Sequence, residues 1–395
     1  IMVGSLVAAI VAVSGAMGLD VGGTVGYIAD SNLSRMMFFD DAILASRELE
    51  LTLTGRDCGE EERAPMCGVP YHSSETYIGR LIEKGYKVAI CEQMEDPALA
   101  KGLVRRDVTR VITPGTLIES NLLKETQNNY LCAVFFDTEE IGVCFADVST
   151  GQAFATSFGG KEMLSKLNTE LSTYMPSEII LNVSIESLPD RGQFIHERVS
   201  SLISDNQSMR FDYATSYDCV RDSFESERSA WDGRKAVICA IGGLLNYIAE
   251  MQKTDKTNIK DLKVYTNGQF MEIDVNSRRN LELCETMRTK EKRGSLLWVL
   301  DKTKTAPGAR LLRQWVEHPL LKSSLIIKRQ SAVEELFENF IKRQELENLL
   351  SGVLDLERLL TKITYGTANG KDLRAVCNTI SVFPVIQKLP RHGLT

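Results

Sequence analysis

The pattern of hydrophobic and polar positions is sharpest between residues 37 and 129, where it predicts a compact α/β unit. A helical spacing of apolar residues changes to strand chemistry from Leu51 to Thr54. Ser73 or Ser74 can cap a second helix, and Gly85 ends it before an apolar strand over 87–91. The predicted buried positions of the two helices are Ala42, Ala45, Leu49, Tyr77, Ile78, Leu81 and Ile82.

The same unit continues with a third predicted helix, which begins at Asp96 and Pro97. A strand is predicted over 104–112, and Thr113–Gly115 turns the chain after it. The first unit therefore ends in a turn that leads directly into the next one.

A second unit is predicted from about residue 126. Three alternating runs, 130–136, 141–147 and 152–157, predict strands that short polar turns connect. A helix is predicted over 161–174, and a further strand follows at 178–181. This order of elements is typical of an α/β sheet with helices on its faces.

Helical pattern dominates the last third of the chain, from about Asn267. A long apolar helix containing Ala236 and Met251 leads into it, and the polar run over 253–269 is interpreted as a linker. Pro307 fits the first turn of the next helix. Further helices are predicted over 324–339, 342–350 and 355–364, and we expect their apolar stripes to lie in the protein core.

Composition is that of a globular protein with 395 residues, 43% hydrophobic and 25% charged. The formal net charge of -7 argues against a protein that covers nucleic acid with its whole surface, although one basic face is enough for phosphate contact. The nine cysteines are scattered, without a C-x-x-C pair. They predict reduced, mostly buried thiols in a cytoplasmic protein, with no zinc site.

Four segments together carry a specific resemblance. They are PMCGVPYH (65–72), GYKVAICEQMEDP (85–97), TRVITPGTL (109–117) and NNYL (128–131), and they resemble the N-terminal domain and connector of the MutS family of DNA mismatch-repair sensors. MEIDVNSRRNLELCETM and GSLLWVLDKTKTAPGARLLRQWVEHPLL resemble the start of that family's core and lever domain.

The resemblance implies a multidomain fold of the α/β plus all-α class. It implies a small mixed α/β domain over 37–125, a ribonuclease H-like connector over 126–262 and a truncated helical lever over 263–395. Residues 1–36 form an atypical apolar and glycine-rich segment before them. The family's partners are duplex and mismatched DNA, the matchmaker protein MutL and a second copy in a homodimer, without a membrane.

The family's mismatch-reading residues are replaced in this chain. The family carries Gly-Asp-Phe-Tyr-Glu, in which the Phe wedges beside a mispaired base and the Glu hydrogen-bonds to that base. Here Ser34 stands at the Phe, Arg35 at the Tyr and Met36 at the Glu. A wedge needs an aromatic face to replace lost stacking, so the sequence predicts that the mismatch reader is absent.

Basic residues of the first unit are candidates for contact with the DNA backbone. The alternative is a solvated polar face that Asp107 partly neutralises. The resemblance favours Arg56 and Arg106, which match basic family positions near the DNA backbone. The full set of candidates is Arg56, Lys101, Arg105, Arg106 and Arg110.

No catalytic or metal-binding constellation is predicted. His72 is expected to be a structural hydrogen-bond partner at a helix start, and Asp137 and Asp147 are expected to form turns. YGTANGKDL, over 365–373, lacks the spacing and the Ser or Thr of a P-loop and is interpreted as a helix–helix turn. No cofactor is therefore expected in this chain, whereas the full-length family uses ATP and magnesium.

The N-terminal segment has several interpretations. Residues 1–19 contain no charged residue. A signal peptide would need basic residues at its start, which are missing here. A transmembrane helix would need a more strongly apolar run, because glycines and serines interrupt this one. A buried strand and an incorrect or recombined start are the other interpretations, since the family has a polar arm here. Asp20–Gly23 resembles the first phosphate turn of actin-like sugar kinases, and the alternative is a glycine-rich turn between two strands.

These observations predict the binding of mismatched duplex DNA in DNA repair, by a fragment of a MutS-type ATP-dependent sensor that lacks the ATPase and clamp. The alternatives are an interaction scaffold that does not bind DNA and an actin-like phosphate binder. Whether the chain is an enzyme stays open, since the family is a DNA-dependent ATPase.

Overall fold

The computed structural model describes residues 24–31, 34–57, 63–95, 105–184, 201–204, 208–254, 257–266 and 268–388. Within those ranges the chain forms two six-stranded sheets, followed by a series of helices. It is a multidomain protein of mixed α/β and helical structure, as the sequence predicts. None of the helices in these ranges is both long enough and apolar enough to cross a membrane.

The first sheet has the strand order β3-β4-β2-β1-β5-β6. β1 runs parallel to β5, and the other neighbouring strands are antiparallel. Two helices cover one face, burying Ala42, Ala45, Leu49, Ile78, Leu81 and Ile82 as predicted. The elements are β1 Thr24–Ser31, β2 Ser34–Phe38, α1 Phe39–Leu49, β3 Thr54–Arg56, β4 Ala64–Pro70, α2 Ser74–Glu83, β5 Lys87–Gln93 and β6 Arg106–Ile112.

Two predictions for this unit need correction. The strand expected over Leu51–Thr54 begins only at Thr54, because Glu50 adopts a left-handed conformation and Leu51 N–H still bonds to Ser46 C=O of α1. The cap expected from Ser73 or Ser74 does not form, because Ser73 Oγ donates to Pro70 C=O at 3.2 Å and Ser74 Oγ donates to Tyr71 C=O at 2.7 Å. Asp20–Gly23, the apolar run 1–19 and the helix expected at Asp96 lie outside the described residues.

The second sheet has the order β11-β10-β7-β8-β9-β12, in which β7, β8 and β9 form an antiparallel meander and the outer strands pair in parallel. The helix α6 packs on β7 and β8, and α3 packs on β8 and β9. The elements are β7 Leu131–Phe136, β8 Glu140–Asp147, β9 Gln152–Gly159, α3 Met163–Tyr174, β10 Glu178–Leu181, β11 Leu202–Ser204, α4 Tyr213–Phe224, α5 Arg228–Trp231, α6 Lys235–Gln252 and β12 Asp261–Val264.

The polar run over 253–269 is not merely a linker, because it contains β12 at the edge of the second sheet. Leu262 is buried, whereas Asp261 and Lys263 are exposed and join in an ion pair at 3.0 Å. A short edge strand with charged outward residues has little apolar content, so the hydrophobic pattern missed it.

Helices make up most of the third region. Thr305 caps α9 by accepting a hydrogen bond from Gly308 N–H, and Pro307 lies in the first turn as predicted. Gly366, with φ of 71°, and Asn369 form the turn between α12 and α13, which confirms the helix–helix interpretation of 365–373. The helices are α7 Val275–Asn280, α8 Leu296–Leu300, α9 Ala306–Glu317, α10 Ser323–Glu338, α11 Phe340–Leu350, α12 Leu356–Thr364 and α13 Gly370–Lys388.

The apolar stripes of α10 and α11 do not lie in a core, so that prediction was wrong. Neither helix has a buried residue, and Phe337 is 77% exposed and Ile341 82% exposed. Helical periodicity shows that a helix has an apolar side, but it does not show what covers that side. In the described part of the chain, α10 and α11 contact each other and α11 contacts α13, which covers these apolar sides only in part.

Candidate nucleic-acid interface

The first sheet has one face under its own two helices. Its other face, called the open face here because neither of those helices covers it, packs against the second unit at Ala89 and Val111. Met37, Cys67 and Val69 lie in the core beneath α1 and α2. Alternate residues of a strand point to opposite faces, so Met36, Phe38 and Met66 lie on the other side. There they pack with Cys91 in a small apolar cluster, separate from the main core.

Arg56 and Arg106 both lie on this open face. In β3, Thr54 is in register with Met66, and Arg56 is two residues further along, on the same side. In β6, Arg106 is in register with Gln93, which is two residues from Cys91. β3 and β6 are the two edge strands of the sheet, five spacings of ~4.8 Å apart, and the register offsets the two positions by about six residues along the strands, so they lie roughly 30 Å apart.

Arg110 lies on the opposite face, beneath the helices. It is in register with the buried Ile90, and its guanidinium donates to the Glu119 carboxylate in a largely buried ion pair. A β-bulge between Ile90 and Cys91 shifts the register, so Arg106 and Arg110 face opposite sides despite their even spacing. The sequence gives no signal for this bulge.

The other two basic candidates have different surroundings. Arg105 is exposed just before β6 and forms an ion pair with Asp107 at 3.8 Å. That pair is the partial neutralisation by Asp107 that the sequence indicates. Lys101 lies outside the described residues.

The segment that the sequence predicts to replace the family's mismatch-reading residues forms β2. The backbone of Ser34 is in register with Pro70 and that of Met36 with Gly68. Arg35, between them, is buried beneath the helices, where it donates to Glu92 at 3.1 Å and lies 5.0 Å from the centre of the Tyr71 ring. Arg35 therefore anchors the hairpin, and Met36 brings an apolar thioether to the open face.

His72 and the two aspartates show no catalytic arrangement. His72 is exposed, and its ring has no hydrogen-bond partner among the described residues, so the expected structural bond is not seen. Asp137 accepts from Thr138 N–H at 2.8 Å, and Asp147 accepts from Ser149 N–H at 2.9 Å, which confirms both as turn formers. The described residues contain no group of three metal-ligating side chains.

A buried polar joint, which the sequence did not reveal, connects the two sheets. The fully buried Glu178 of β10 accepts hydrogen bonds from Thr113 Oγ1, from Gly115 N–H at 3.1 Å and from Tyr247 Oη. Lys87 of β5 lies 3.7 Å from the same carboxylate. Burial lowers the pKa of Lys87, and the nearby Glu178 opposes that shift.

Gly115 explains why the turn at 113–115 is so close to the second sheet. A Cβ at this position would lie 2.9 Å from the Glu178 side chain. The glycine lets the peptide N–H of the first unit reach a carboxylate of the second. Sequence reasoning saw only a turn here, since its partner is 63 residues away.

Comparison with known proteins defines the class of this molecule. Residues 36–121 match the family profile MutS domain I, residues 129–260 match MutS domain II and residues 276–393 match MutS domain III. It is therefore a multidomain protein that carries the first three MutS domains in order.

Curated relatives agree with this assignment. The chain is 47% identical over 353 residues to the DNA mismatch repair protein MutS of Ruminiclostridium cellulolyticum, covering 89% of this chain and 40% of the relative. It is 48% identical over 353 residues to that of Clostridium novyi, covering 89% and 38%. The chain belongs to the MutS family, and it spans about 40% of the length of these relatives.

Proposed function

We propose that this chain binds duplex DNA through the open face of its first sheet, as part of a MutS-type mismatch-repair system. The observation that carries the proposal is the strand register, by which Arg56 and Arg106 share one face with the cluster of Met36, Phe38 and Met66. Cationic side chains there can contact phosphates, which position a protein without reading sequence.

The proposed contact set is narrower than the basic residues of the sequence. Arg110 is left out, because its charge is compensated by Glu119 on the opposite face. Arg105 lies just before β6, outside the strand register that places Arg56 and Arg106 on the open face, so it ranks after them. Lys101 stays a proposal from the sequence alone.

The proposed function is tested by the double variant Arg56→Ala/Arg106→Ala. Each lost phosphate contact should flatten the slope of log affinity against log salt by about one unit, because fewer counterions are released. Two contacts roughly 30 Å apart should act independently, so we expect a change of about two units. Fluorescence anisotropy with one duplex at four salt concentrations measures it.

Arg105→Ala is the matched control, because it removes an exposed arginine of the same sheet edge that is already paired with Asp107. It should change the slope by less than half a unit, on the order of the loss of a partly compensated charge. If the double variant binds the duplex with an unchanged salt slope, Arg56 and Arg106 do not contact phosphates and belong to a solvated polar face. No duplex binding by the wild-type chain would favour the interaction scaffold.

We further propose the finer features that the family suggests. The antiparallel meander of β7, β8 and β9 beside parallel outer strands supports a ribonuclease H-like connector. Binding of MutL, homodimer formation and the use of ATP with magnesium are proposed for the longer proteins of the family. The chain is proposed to work in the cytoplasm, where its thiols stay reduced.

A further inference from the structure

The segment between the first two family domains is held by the third. Residues 122–128 lie between the regions that match MutS domain I and MutS domain II. Arg358 of α12 donates from Nη1 to Lys124 C=O at 3.1 Å and from Nη2 to Gln127 C=O at 2.8 Å. Arg310 of α9 donates from Nη1 to Glu125 C=O at 3.0 Å.

Both guanidinium groups are buried and fixed by other partners. Arg310 is 4% exposed, and Asp355 accepts from its two terminal nitrogens at 2.6 and 2.9 Å. Arg358 is 3% exposed, and its Nε donates to Ser149 Oγ at 3.2 Å. A planar guanidinium can reach several acceptors at fixed angles, which a lysine ammonium cannot do.

The other side of this segment is attached to the second sheet. Asp147 accepts from Asn128 Nδ2 at 2.9 Å and from Asn129 N–H at 3.2 Å. Ser149, which contacts Arg358, belongs to the same turn as Asp147. The segment therefore has α9 and α12 on one side and the turn at 147–151 on the other.

We propose that Arg310 and Arg358 are positioning residues, which hold the peptide carbonyls of 124–127 so that the first domain and helices α9 and α12 move together. A shift of α12 would take these partly buried carbonyls away from their charged donors, which is costly, so the segment follows the helix. A ligand whose affinity for the first domain depends on the position of this segment then shifts the position of α12, and the coupling is reciprocal. For duplex DNA as that ligand, this step rests on the proposed function.

We call Arg310, Arg358 and the carbonyls of 124–127 the arginine clasp. The clasp is tested first without DNA, by hydrogen exchange of the full chain. In Arg358→Lys and Arg358→Met, amides of 122–130 should exchange about tenfold faster, while those of β5 and β8 keep the wild-type rate. Arg329→Met is the matched control, because that arginine lies on α10 over the Trp315 ring and outside the clasp. It should leave the rates at 122–130 unchanged.

Two results would overturn the clasp. One is an exchange rate over 122–130 that stays at the wild-type value in Arg358→Lys, a variant that keeps the charge but loses the planar guanidinium with its several donors. The other is an equal acceleration in 122–130, β5 and β8, which would show a general loss of stability. If Arg358→Met does not fold, Arg358→Lys and Arg310→Lys give the answer.

A second measurement adds a saturating duplex. In the wild type, DNA should slow exchange in α12, and in Arg358→Lys this DNA-dependent change should disappear while the duplex still binds. Its persistence in the variant would contradict the coupling. If the wild-type chain binds no duplex, the proposed function fails, and the exchange at 122–130 still decides the clasp.

Discussion

At the scale of single residues, two side chains are predicted to decide whether the open face distinguishes bases. The family resemblance predicts Ser34 at the wedge position and Met36, which packs beside Phe38 and Met66, at the position of the hydrogen-bonding Glu. An aromatic stack contributes about 1–3 kcal/mol per base. Without an aromatic wedge the duplex is not kinked, so the lower free-energy cost of kinking a mispaired step does not contribute to binding.

We therefore predict that duplex binding does not favour mismatches. Affinities for a homoduplex and for a G·T or single-base-bulge duplex should agree within a factor of two or so, on the order of thermal energy. Competition binding at one salt concentration measures this. A tenfold preference for the mispaired duplex, about 1.4 kcal/mol, would show that another residue reads the lesion.

The companion variant Ser34→Phe/Met36→Glu asks whether the rest of the site can support a wedge. It should recover only a weak preference, because the new carboxylate must enter a position that now belongs to an apolar cluster. A tenfold preference for the mispaired duplex in this variant would show that these two side chains alone account for the missing discrimination.

A buried carboxyl predicts a pH-dependent stability. Burial raises the pKa of Glu170 to about 7, against the lowering effect of its hydrogen bond from Tyr265. The folded state therefore holds this proton more tightly than the unfolded state, whose pKa is near 4.5. The resulting stabilisation is present below pH 4.5 and is lost as the pH rises through about 7.

Glu170→Gln keeps an amide beside Tyr265 and removes the titration. Between pH 5 and 8 its free energy of unfolding should rise relative to the wild type by up to roughly 3 kcal/mol. Urea unfolding of the wild type and the variant at pH 5 and pH 8 measures this difference. Because both proteins contain His318, its opposing pH effect cancels in the comparison. The exposed Glu162→Gln is the control, and an equal pH response in both variants would contradict the assignment to Glu170.

At the level of elements, irregularities control what each face presents. The bulge between Ile90 and Cys91 separates Arg106 from Arg110, and the edge strand β12 completes the second sheet from a polar run. Close packing of α6 on β8 depends on one glycine, Gly142. A Cβ there would lie 2.0 Å from Ala236 C=O, which is backbone and cannot rotate away.

Gly142→Ala should therefore destabilise the second unit by about 2–3 kcal/mol or more, because overpacking forces α6 away from the sheet. Scanning calorimetry should show a lower melting temperature for the transition that includes β8 and α6. Gly370→Ala is the control, since nothing lies within 4 Å of a Cβ at that exposed position. A wild-type melting temperature for Gly142→Ala would show that the helix can shift without cost.

At the scale of the whole molecule, the polar contacts between regions are more numerous than sequence patterns suggest. The joint at Glu178 connects the first two sheets, and the arginine clasp connects both to the helices. The sequence contains no P-loop, because Asp372 follows Lys371 where a Ser or Thr is required. Asp372 instead accepts from Lys362 at 3.4 Å.

We predict that the purified 395-residue chain neither binds nor hydrolyses ATP. Saturating ATP with magnesium should leave its melting temperature unchanged, since only a ligand that binds the folded state stabilises it. Phosphate release should stay at the buffer rate. Saturable ATP turnover would contradict this prediction. A rise in melting temperature without turnover would favour phosphate binding at Asp20–Gly23.

Local patterns in the sequence determined much of the secondary structure and the family. Helices α1, α2 and α9 follow from apolar spacing and Pro307, because these signals act within one or two turns, although neither Ser73 nor Ser74 caps α2. The predicted replacement of the mismatch reader also rests on local information alone, the identity of Ser34 and Met36.

Only the tertiary structure decided which basic residues share a face and which apolar stripes are covered. A single bulged residue reverses every side chain beyond it, and no composition rule predicts where it occurs. Glu178, Arg310 and Arg358 resemble surface charges in the sequence, yet all three are buried. The hydrogen-bond partners of their side chains are 26 to 234 residues away along the chain, beyond the reach of any local pattern.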